Sequence, residues 1–218
     1  MRKCLLLIWV LPILLASCLD FTEEIQFNQD GSGSASYKLN LSKSKIKVSA
    51  VMLLDSVNGY AIPSELKVRA KLLSLKSELS KQEGIKNVTL REDWTEYIFQ
   101  IKFDFDSVSN LNAGFRELAK NNEKGMKYFF DPYSFSSKEF VRHDRFEKIK
   151  ELEKIKKQNY AALKEANYVC IYRFSGEVEK NLNIGYKTSK NLKALMFKST
   201  LLDLIEQKSS LKNSVSFK

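Results

Sequence analysis

The segment of residues 97–106 carries an aromatic or branched side chain at every second position. Side chains of a β-strand alternate between two faces, so this pattern is typical of a strand with one buried and one solvated face. It predicts an inward-facing set made up of Tyr97, Phe99, Ile101, Phe103 and Phe105. Asp104 and Asp106 fall on the opposite face. No histidine or third acid lies nearby in the sequence, so we interpret them as solvated rather than as a metal or acid/base pair.

Other segments predict further strands. Residues 25–28 and 37–41 alternate and are joined by the turn-rich segment 28–34, which indicates a β-hairpin. We interpret its Asp30-Gly31-Ser32-Gly33 as a turn rather than a calcium loop or a phosphate cradle, because the other residues of those motifs are missing. Residues 88–91 are expected to form a strand that pairs with the strand at residues 97–106 through a turn at residues 92–94. Later strands are expected at 126–130, 135–141, 168–174, 178–186, 192–198 and 214–217.

Helical periodicity occupies residues 42–81, with a break at Asn58-Gly59 and a second start at Pro63. The second of these helices is expected to present one broad apolar face, made up of Leu66, Leu72, Leu73, Leu75 and Leu79. Packing of this face on a sheet is the favoured interpretation, and a position on a membrane surface is the alternative. Further helices are expected at residues 107–118, 144–166 and 201–205.

The order of these elements mixes strands and helices without a regular β-α-β alternation. It predicts a single α+β domain with a mainly antiparallel sheet packed against several helices. We expect no disulfide bond in the domain. Cys4 is expected to be removed with a signal peptide and Cys18 to be modified by lipid, as explained below, so only Cys170 remains. Cys170 lies in an apolar strand and is interpreted as a small buried hydrophobe, with a catalytic thiol as the alternative.

Residues 1–18 are typical of a bacterial lipoprotein signal. Arg2 and Lys3 precede an apolar run, and Leu15-Ala16-Ser17-Cys18 matches a lipobox. This predicts a cleaved signal peptide at residues 1–17, a mature lipid-anchored domain at residues 18–218 and lipidation of Cys18. A transmembrane helix is disfavoured, since a span needs about 20 apolar residues. An ordinary secretory signal is also disfavoured, because it would need no cysteine at the cleavage site.

The net charge of +10 is spread along the chain without a long arginine-rich block. A nucleic-acid partner is therefore not expected, and a solvated basic surface is favoured over attraction to anionic lipid headgroups. His143 is the only histidine, and nothing in the sequence brings it to Cys170. With no Gly-x-Ser-x-Gly motif and no paired Cys or His ligands, we expect a protein that is not an enzyme, with no catalytic residues, no cofactor and no metal.

The chain resembles uncharacterised envelope lipoproteins of Bacteroidota-type bacteria. The resemblance rests on the lipobox cysteine, the hairpin of residues 25–33, the segment Gly84-Ile85-Lys86-Asn87-Val88, and Phe103-Asp104-Phe105 followed by Leu111-Asn112. The layout is also similar to the LppM-type lipoprotein domain. That resemblance implies an exported α+β domain with a cavity that accommodates lipid. It assigns no site residue.

These observations predict a membrane-anchored cell-envelope lipoprotein, placed in the outer membrane and facing the periplasm. Its expected role is non-catalytic binding of a lipid or another apolar ligand, with Tyr97, Phe99, Ile101, Phe103 and Phe105 as the pocket. The alternative is an envelope assembly or scaffold lipoprotein that binds a protein through the charged helix at residues 144–166.

Overall fold

The strand predicted from residues 97–106 lies in a seven-stranded sheet. The structure is a computed structural model, and it describes residues 19–57, 60–120, 131–143 and 160–218. Residues 1–18, the strand expected at 126–130 and residues 144–159 of the charged helix lie outside the described residues.

The described strands are β1 Asp20–Phe27, β2 Gly33–Asn40, β3 Ser56–Val57, β4 Tyr60–Ala61, β5 Ile85–Asp93, β6 Ile98–Phe105, β7 Tyr133–Phe135, β8 Glu139–Arg142, β9 Asn167–Phe174, β10 Val178–Asn181, β11 Lys187–Thr188, β12 Ala194–Thr200 and β13 Asn213–Phe217. The described helices are α1 Lys45–Met52, α2 Glu65–Ser80, α3 Val108–Lys120, α4 at residues 160–165 and α5 Leu201–Ile205. A 3₁₀ turn, Ser42–Ser44, precedes α1.

The large sheet has the strand order β11-β12-β9-β1-β2-β6-β5, and a four-stranded sheet has the order β10-β13-β8-β7. Strands β3 and β4 form a separate pair. All described pairings are antiparallel except that of β1 with β9. The α+β class and the mainly antiparallel sheet are therefore confirmed, with one parallel pair at the centre of the large sheet.

Local chemistry explains the β1–β2 turn. Gly31 adopts a φ of +83°, which glycine tolerates because it has no Cβ. The Asp30 carboxylate accepts hydrogen bonds from the Ser32 backbone N–H at 3.0 Å and from the Ser32 hydroxyl at 2.7 Å. The predicted hairpin is confirmed, and Asp30 is engaged within its own turn.

The four-stranded sheet packs against one face of the large sheet through aromatic rings. The Phe140 ring lies 5.0 Å from that of Phe27 and 4.9 Å from that of Tyr172, measured between centroids. The ring centroids of Phe174 and Phe217 are 4.9 Å apart. These rings belong to the larger hydrophobic core. A second, smaller core lies under α1, α4 and α5 at the end of the large sheet where β1 begins, which we call the Asp20 end.

Three predicted strands differ from the structure. Tyr97 is in the β5–β6 turn with a φ of +52° and not in the strand, because the Asp93 carboxylate accepts the backbone N–H groups of Thr95 and Glu96 and extends the turn. The strand expected at 135–141 is broken at residues 136–138, where β7 turns into β8. The strand expected at 178–186 ends at Asn181, because Asn183 caps a turn by accepting the backbone N–H of Gly185 at 2.8 Å.

The expectation of one broad buried face on α2 was wrong for two of its leucines. Leu79 is fully buried, and Leu72 and Leu75 are partly buried against the cores. Leu66 and Leu73 are exposed. The five leucines therefore do not share one face of the helix.

Gly33 generates a prediction about the packing of the large sheet. A Cβ on Gly33 would lie 1.9 Å from the Gln26 carbonyl oxygen and 2.7 Å from the Phe105 ring. Changing Gly33→Ala is expected to lower the free energy of unfolding by about 2–3 kcal/mol, because neither the paired backbone nor the buried ring can move away. Urea unfolding measures the change. The control is Gly176→Ala, where the nearest atom is 3.8 Å away, and equal effects of the two changes would contradict the prediction.

Candidate functional site

The register of the large sheet arranges the inward-facing side chains in rows. One row runs Ile101, Tyr37, Glu23, Cys170, Phe197 across β6, β2, β1, β9 and β12. The next row toward the Asp20 end runs Phe99, Leu39, Phe21, Tyr168, Ser199. Glu23 thus occupies the middle of an otherwise apolar and aromatic face.

A buried polar cluster surrounds Glu23, which is only 2% exposed. Its carboxylate accepts hydrogen bonds from the hydroxyl of Tyr168 at 2.5 Å and from that of Tyr172 at 2.6 Å. Arg142, from β8 of the facing sheet, places a guanidinium nitrogen 3.7 Å from the carboxylate and donates from Nε to the Tyr172 hydroxyl at 3.1 Å. Its guanidinium also lies 4.8 Å from the centre of the Tyr133 ring. The two sheets therefore meet through a charge pair as well as through aromatic packing.

The electrostatics of the cluster keep its hydroxyls protonated. Burial, together with the negative Glu23 carboxylate, raises the pKa of Tyr37, Tyr133 and Tyr168 well above the usual tyrosine range. A buried phenolate is disfavoured by the loss of hydration and by repulsion from a neighbouring negative charge. These hydroxyls consequently stay protonated, and that of Tyr168 donates to Glu23.

Next to this cluster, three inner-face side chains of the large sheet are only partly buried. Strands β1 and β2 are interior strands, yet Phe21, Tyr37 and Leu39 are only partly buried on the inner face. Phe21 lies 6.4 Å from the Tyr37 ring and 5.3 Å from the Tyr168 ring, measured between centroids. We call these three partly buried side chains the floor. It joins the two hydrophobic cores, and the hydroxyl of Tyr37 points into the buried region.

This arrangement is suited to binding an apolar group. The floor offers accessible aromatic and aliphatic surface on a rigid sheet, and the hydroxyl groups of the polar cluster lie beside it. Pockets for small apolar ligands typically combine such a lining with a few fixed polar groups.

The residues predicted to form the pocket divide between the two cores. Ile101, Phe103 and Phe105 belong to the larger core, and Phe99 belongs to the smaller one, where Tyr97 packs at its edge. Phe105 is 2% exposed and in ring contact with Phe27, whereas Phe99 and Ile101 are 8% exposed and border the floor. That these five line a ligand pocket stays a prediction. Cys18 lies outside the described residues.

The floor and the polar cluster draw on residues that the sequence did not single out. Phe21, Glu23 and Leu39 follow the same alternation as the hairpin apolar residues, so the period of two could have placed them inward. Arg142 gives no such signal, because its partner is 119 positions away in the chain and an isolated arginine normally faces solvent.

His143 and Cys170 have separate surroundings. The His143 Nε2 atom lies 2.9 Å from the hydroxyl oxygen of Ser134 near the surface. Cys170 is completely buried and donates to the Tyr186 hydroxyl at 3.6 Å. The interpretation of Cys170 as a buried hydrophobe is confirmed.

No group of three or more His, Cys, Asp or Glu side chains in the described ranges could hold a metal ion. In the same ranges, no helix is both long and apolar enough to cross a membrane.

A two-sheet α+β domain with a buried charge pair is the class that the fold defines. No protein-family model matches the chain, and no curated protein matches it. Among solved structures, the chain is similar to the NMR structure of the folded domain of the LppM protein of Mycobacterium tuberculosis. That likeness has a TM-score of 0.44 and 11% sequence identity, and it covers 93% of this chain and 91% of that chain. The similarity to the LppM-type domain expected from the sequence is therefore also found in a solved structure.

The polar cluster predicts strong coupling between Glu23 and Arg142. Changing Glu23→Leu or Arg142→Met alone should lower the free energy of unfolding by about 3–5 kcal/mol, because the remaining charge is buried without its partner. The double variant should lose less than the sum of the two, by about 2 kcal/mol. Urea unfolding of the four proteins measures the coupling, and Glu23→Gln replaces Glu23→Leu if the latter does not fold.

The matched control is the pair of Glu24 on β1 and Arg173 on β9, which lies on the solvated face of the large sheet at 2.8 Å. Its coupling should stay below about 1 kcal/mol, because water screens exposed charges. Equal coupling in the two pairs would contradict the buried ion pair.

A second prediction concerns the reactivity of Cys170. Burial raises the pKa of its thiol to about 12. At pH 8 about one thiol in ten thousand is then ionised in the folded protein, against roughly a quarter in an unfolded chain. Alkylation of the Cys170 peptide, followed by mass spectrometry, should be at least about a thousandfold slower in the native protein than in urea.

The same shift fixes a pH dependence of stability. Since the folded pKa lies above the unfolded one, the contribution of Cys170 to the free energy of unfolding is complete below about pH 8.5 and is lost as the pH rises toward 12.

For the alkylation experiment, an exposed Met196→Cys variant serves as the reactive control, because Met196 is on the solvated side of β12. Equal alkylation of the two positions in the native protein would contradict the prediction.

Proposed function

We propose that this protein is a non-catalytic, lipid-anchored protein of the bacterial cell envelope that binds a lipid or another apolar ligand. The observation that carries the binding role is the partly exposed floor of Phe21, Tyr37 and Leu39 on interior strands. Interior strands normally have their inner face filled by the opposing layer. Apolar side chains left accessible there provide a surface that an apolar ligand can cover.

The position of the floor also supports a ligand from a membrane. Phe21 is two residues from Leu19, and Leu19 directly follows the proposed lipidation site, Cys18. A lipid on Cys18 would hold the Asp20 end of the sheet close to the bilayer, because one residue spans at most about 3.6 Å. An apolar chain leaving the bilayer would then reach Phe21 and Leu39 before it reached the larger core.

The bound part is expected to be an acyl or similar apolar chain. The floor supplies aromatic and aliphatic contacts, while Glu23 is already occupied by two tyrosine hydroxyls and lies near Arg142. Because the buried charges are paired with each other, the affinity would come from covering the floor and not from an ionic headgroup contact.

An assembly or scaffold role is the alternative that the sequence left open. It requires an exposed apolar stripe on the helix at residues 144–166, of which residues 160–166 are described. Leu163 and Ala166 are buried there in the smaller core, while Tyr160 is half exposed. The described end of this helix therefore packs inward, and we retain lipid binding as the proposal.

The test is photocrosslinking in intact cells. Phe21 is replaced by p-benzoylphenylalanine, which keeps the phenyl ring and adds a photoreactive benzoyl group, and Met196 on the solvated face of β12 carries the same probe as the control. After illumination, mass spectrometry of the peptide containing the probe should identify a lipid adduct at position 21 and not at position 196.

Two other outcomes are informative. An adduct between position 21 and a second protein at fixed stoichiometry would replace lipid binding with the scaffold role. Adducts confined to the chain itself would show that the floor is covered internally, and this would overturn the proposed ligand binding.

A further inference from the structure

Two helices expose large apolar side chains: α1, which lies at the Asp20 end, and α2, whose first turns lie near that end, where Arg69 contacts Glu92 of β5. Ile46 and Leu53, at the start and end of α1, are 81% and 87% exposed. Leu66 and Leu73 of α2 are 78% and 56% exposed. Single exposed apolar residues are ordinary, but repeated ones on one face of a helix mark an interaction surface.

Helix α2 carries two apolar faces. Successive residues turn by about 100°, so Leu66, Ala70 and Leu73 lie within about 60° of one another. All three are exposed. Leu72, Leu75 and Leu79 lie on the opposite side and pack on the cores. We call Leu66, Ala70 and Leu73 the α2 stripe.

Helix α1 repeats this arrangement. Ile46, Ala50 and Leu53 are spaced by four and three residues, which places them on one face, and all are exposed. Val48 lies on the other side and is buried in the smaller core. We call Ile46, Ala50 and Leu53 the α1 stripe. Both helices therefore keep a second apolar face after one has been packed.

Basic side chains flank the stripes. Residues 41–81 contain eight Lys or Arg and three Asp or Glu. On α2, the helical angle puts Lys67 and Lys71, with Glu78 between them, on one side of the α2 stripe. Lys76 and Arg69 lie on the other side, where Arg69 is ion-paired with Glu65 and Glu92. An apolar face bordered by Lys and Arg is the pattern of helices that lie in the interface of an anionic membrane. The long stems of lysine let the ammonium group reach the headgroups while the helix lies lower.

The start of the described chain lies against α1. Leu19 is buried in the smaller core together with Val48 of α1. The Asp20 carboxylate accepts a hydrogen bond from Nζ of Lys43 at 2.8 Å, and Lys43 lies in the 3₁₀ turn that precedes α1. The described chain therefore begins beside α1.

We propose that the α1 stripe and the α2 stripe bind the surface of an anionic bilayer and orient the domain with its Asp20 end toward that bilayer. Three observations select a bilayer: the apolar faces are exposed, basic residues flank them, and the chain start that would carry the lipid is adjacent. This contact goes beyond ligand binding at the floor and does not require it. It rests on the proposed anchor only for the identity of the nearby membrane.

The test measures the depth of single tryptophans. The full chain, expressed and processed in a bacterium, carries Trp9→Phe and Trp94→Phe, which remove both native tryptophans. Ile46→Trp and Leu66→Trp are made separately in this background. Each protein is reconstituted into vesicles of phosphatidylglycerol and phosphatidylcholine, with or without lipids brominated near the headgroup end of the acyl chains.

We expect brominated lipid to lower the emission of both stripe variants about twofold or more, because interfacial helices sit about 5–10 Å into the boundary between headgroups and acyl chains. The matched control is Ile184→Trp, at a side chain that is 100% exposed in the loop after β10. Its emission should not change. Adding Lys67→Glu and Lys71→Glu to Leu66→Trp should reduce the quenching in anionic vesicles.

The opposite results are equally clear. In one such result, the protein floats with the vesicles, but brominated lipid quenches the stripe variants no more than it quenches Ile184→Trp. This would show that the protein is anchored without contact between the stripes and the bilayer, and it would overturn the proposed contact. A blue shift without quenching would assign the stripes to a protein partner or a second copy and would also overturn it. Mass spectrometry of Cys18 in the same samples tests the anchor separately, so the two proposals can fail independently.

Discussion

The parallel pairing of β1 with β9 is the constraint on which the rest of the structure depends. Asp20–Phe27 pairs in register with Asn167–Phe174, so the hairpin side of the large sheet and its C-terminal side become one layer. The Asn167 side-chain amide also donates to the Asp20 carboxylate at 2.7 Å and fixes the end of this pair. Strands so distant in sequence pair only after a large loss of chain entropy, which the packing of both faces must offset.

This pairing creates the buried charge and also supplies its partners. It places Glu23 between Tyr37 and Cys170 in one row, with Tyr168 and Tyr172 on the adjoining strand. A carboxylate in such surroundings is strongly unfavourable unless it is hydrogen bonded and paired. Two tyrosine hydroxyls and Arg142 meet this need, and Arg142 comes from the other sheet. The charge pair thereby joins the aromatic packing in fixing the relative position of the two sheets.

The functional proposals converge on the Asp20 end because the strand directions bring the relevant segments together. There β1 begins, β2 ends and β9 begins, as the pairs of Asp20 with Asn40 and with Asn167 show. Phe21 and Leu39 of the floor lie one residue inside this end, and α1 follows β2 through the 3₁₀ turn. An anchor, a ligand entrance and a membrane contact placed at one end would act on the same bilayer.

The sequence by itself determined which faces of the strands are apolar and where the β1–β2 turn occurs, because a period of two and the Asp30-Gly31 turn are local properties. It also predicted the α+β class from the order of its elements. Only the tertiary structure decided that Glu23 and Arg142 meet, that Phe21, Tyr37 and Leu39 stay accessible, and that Leu66 and Leu73 of α2 are exposed. These outcomes depend on which distant surfaces cover one another, and no local pattern of residues contains that information.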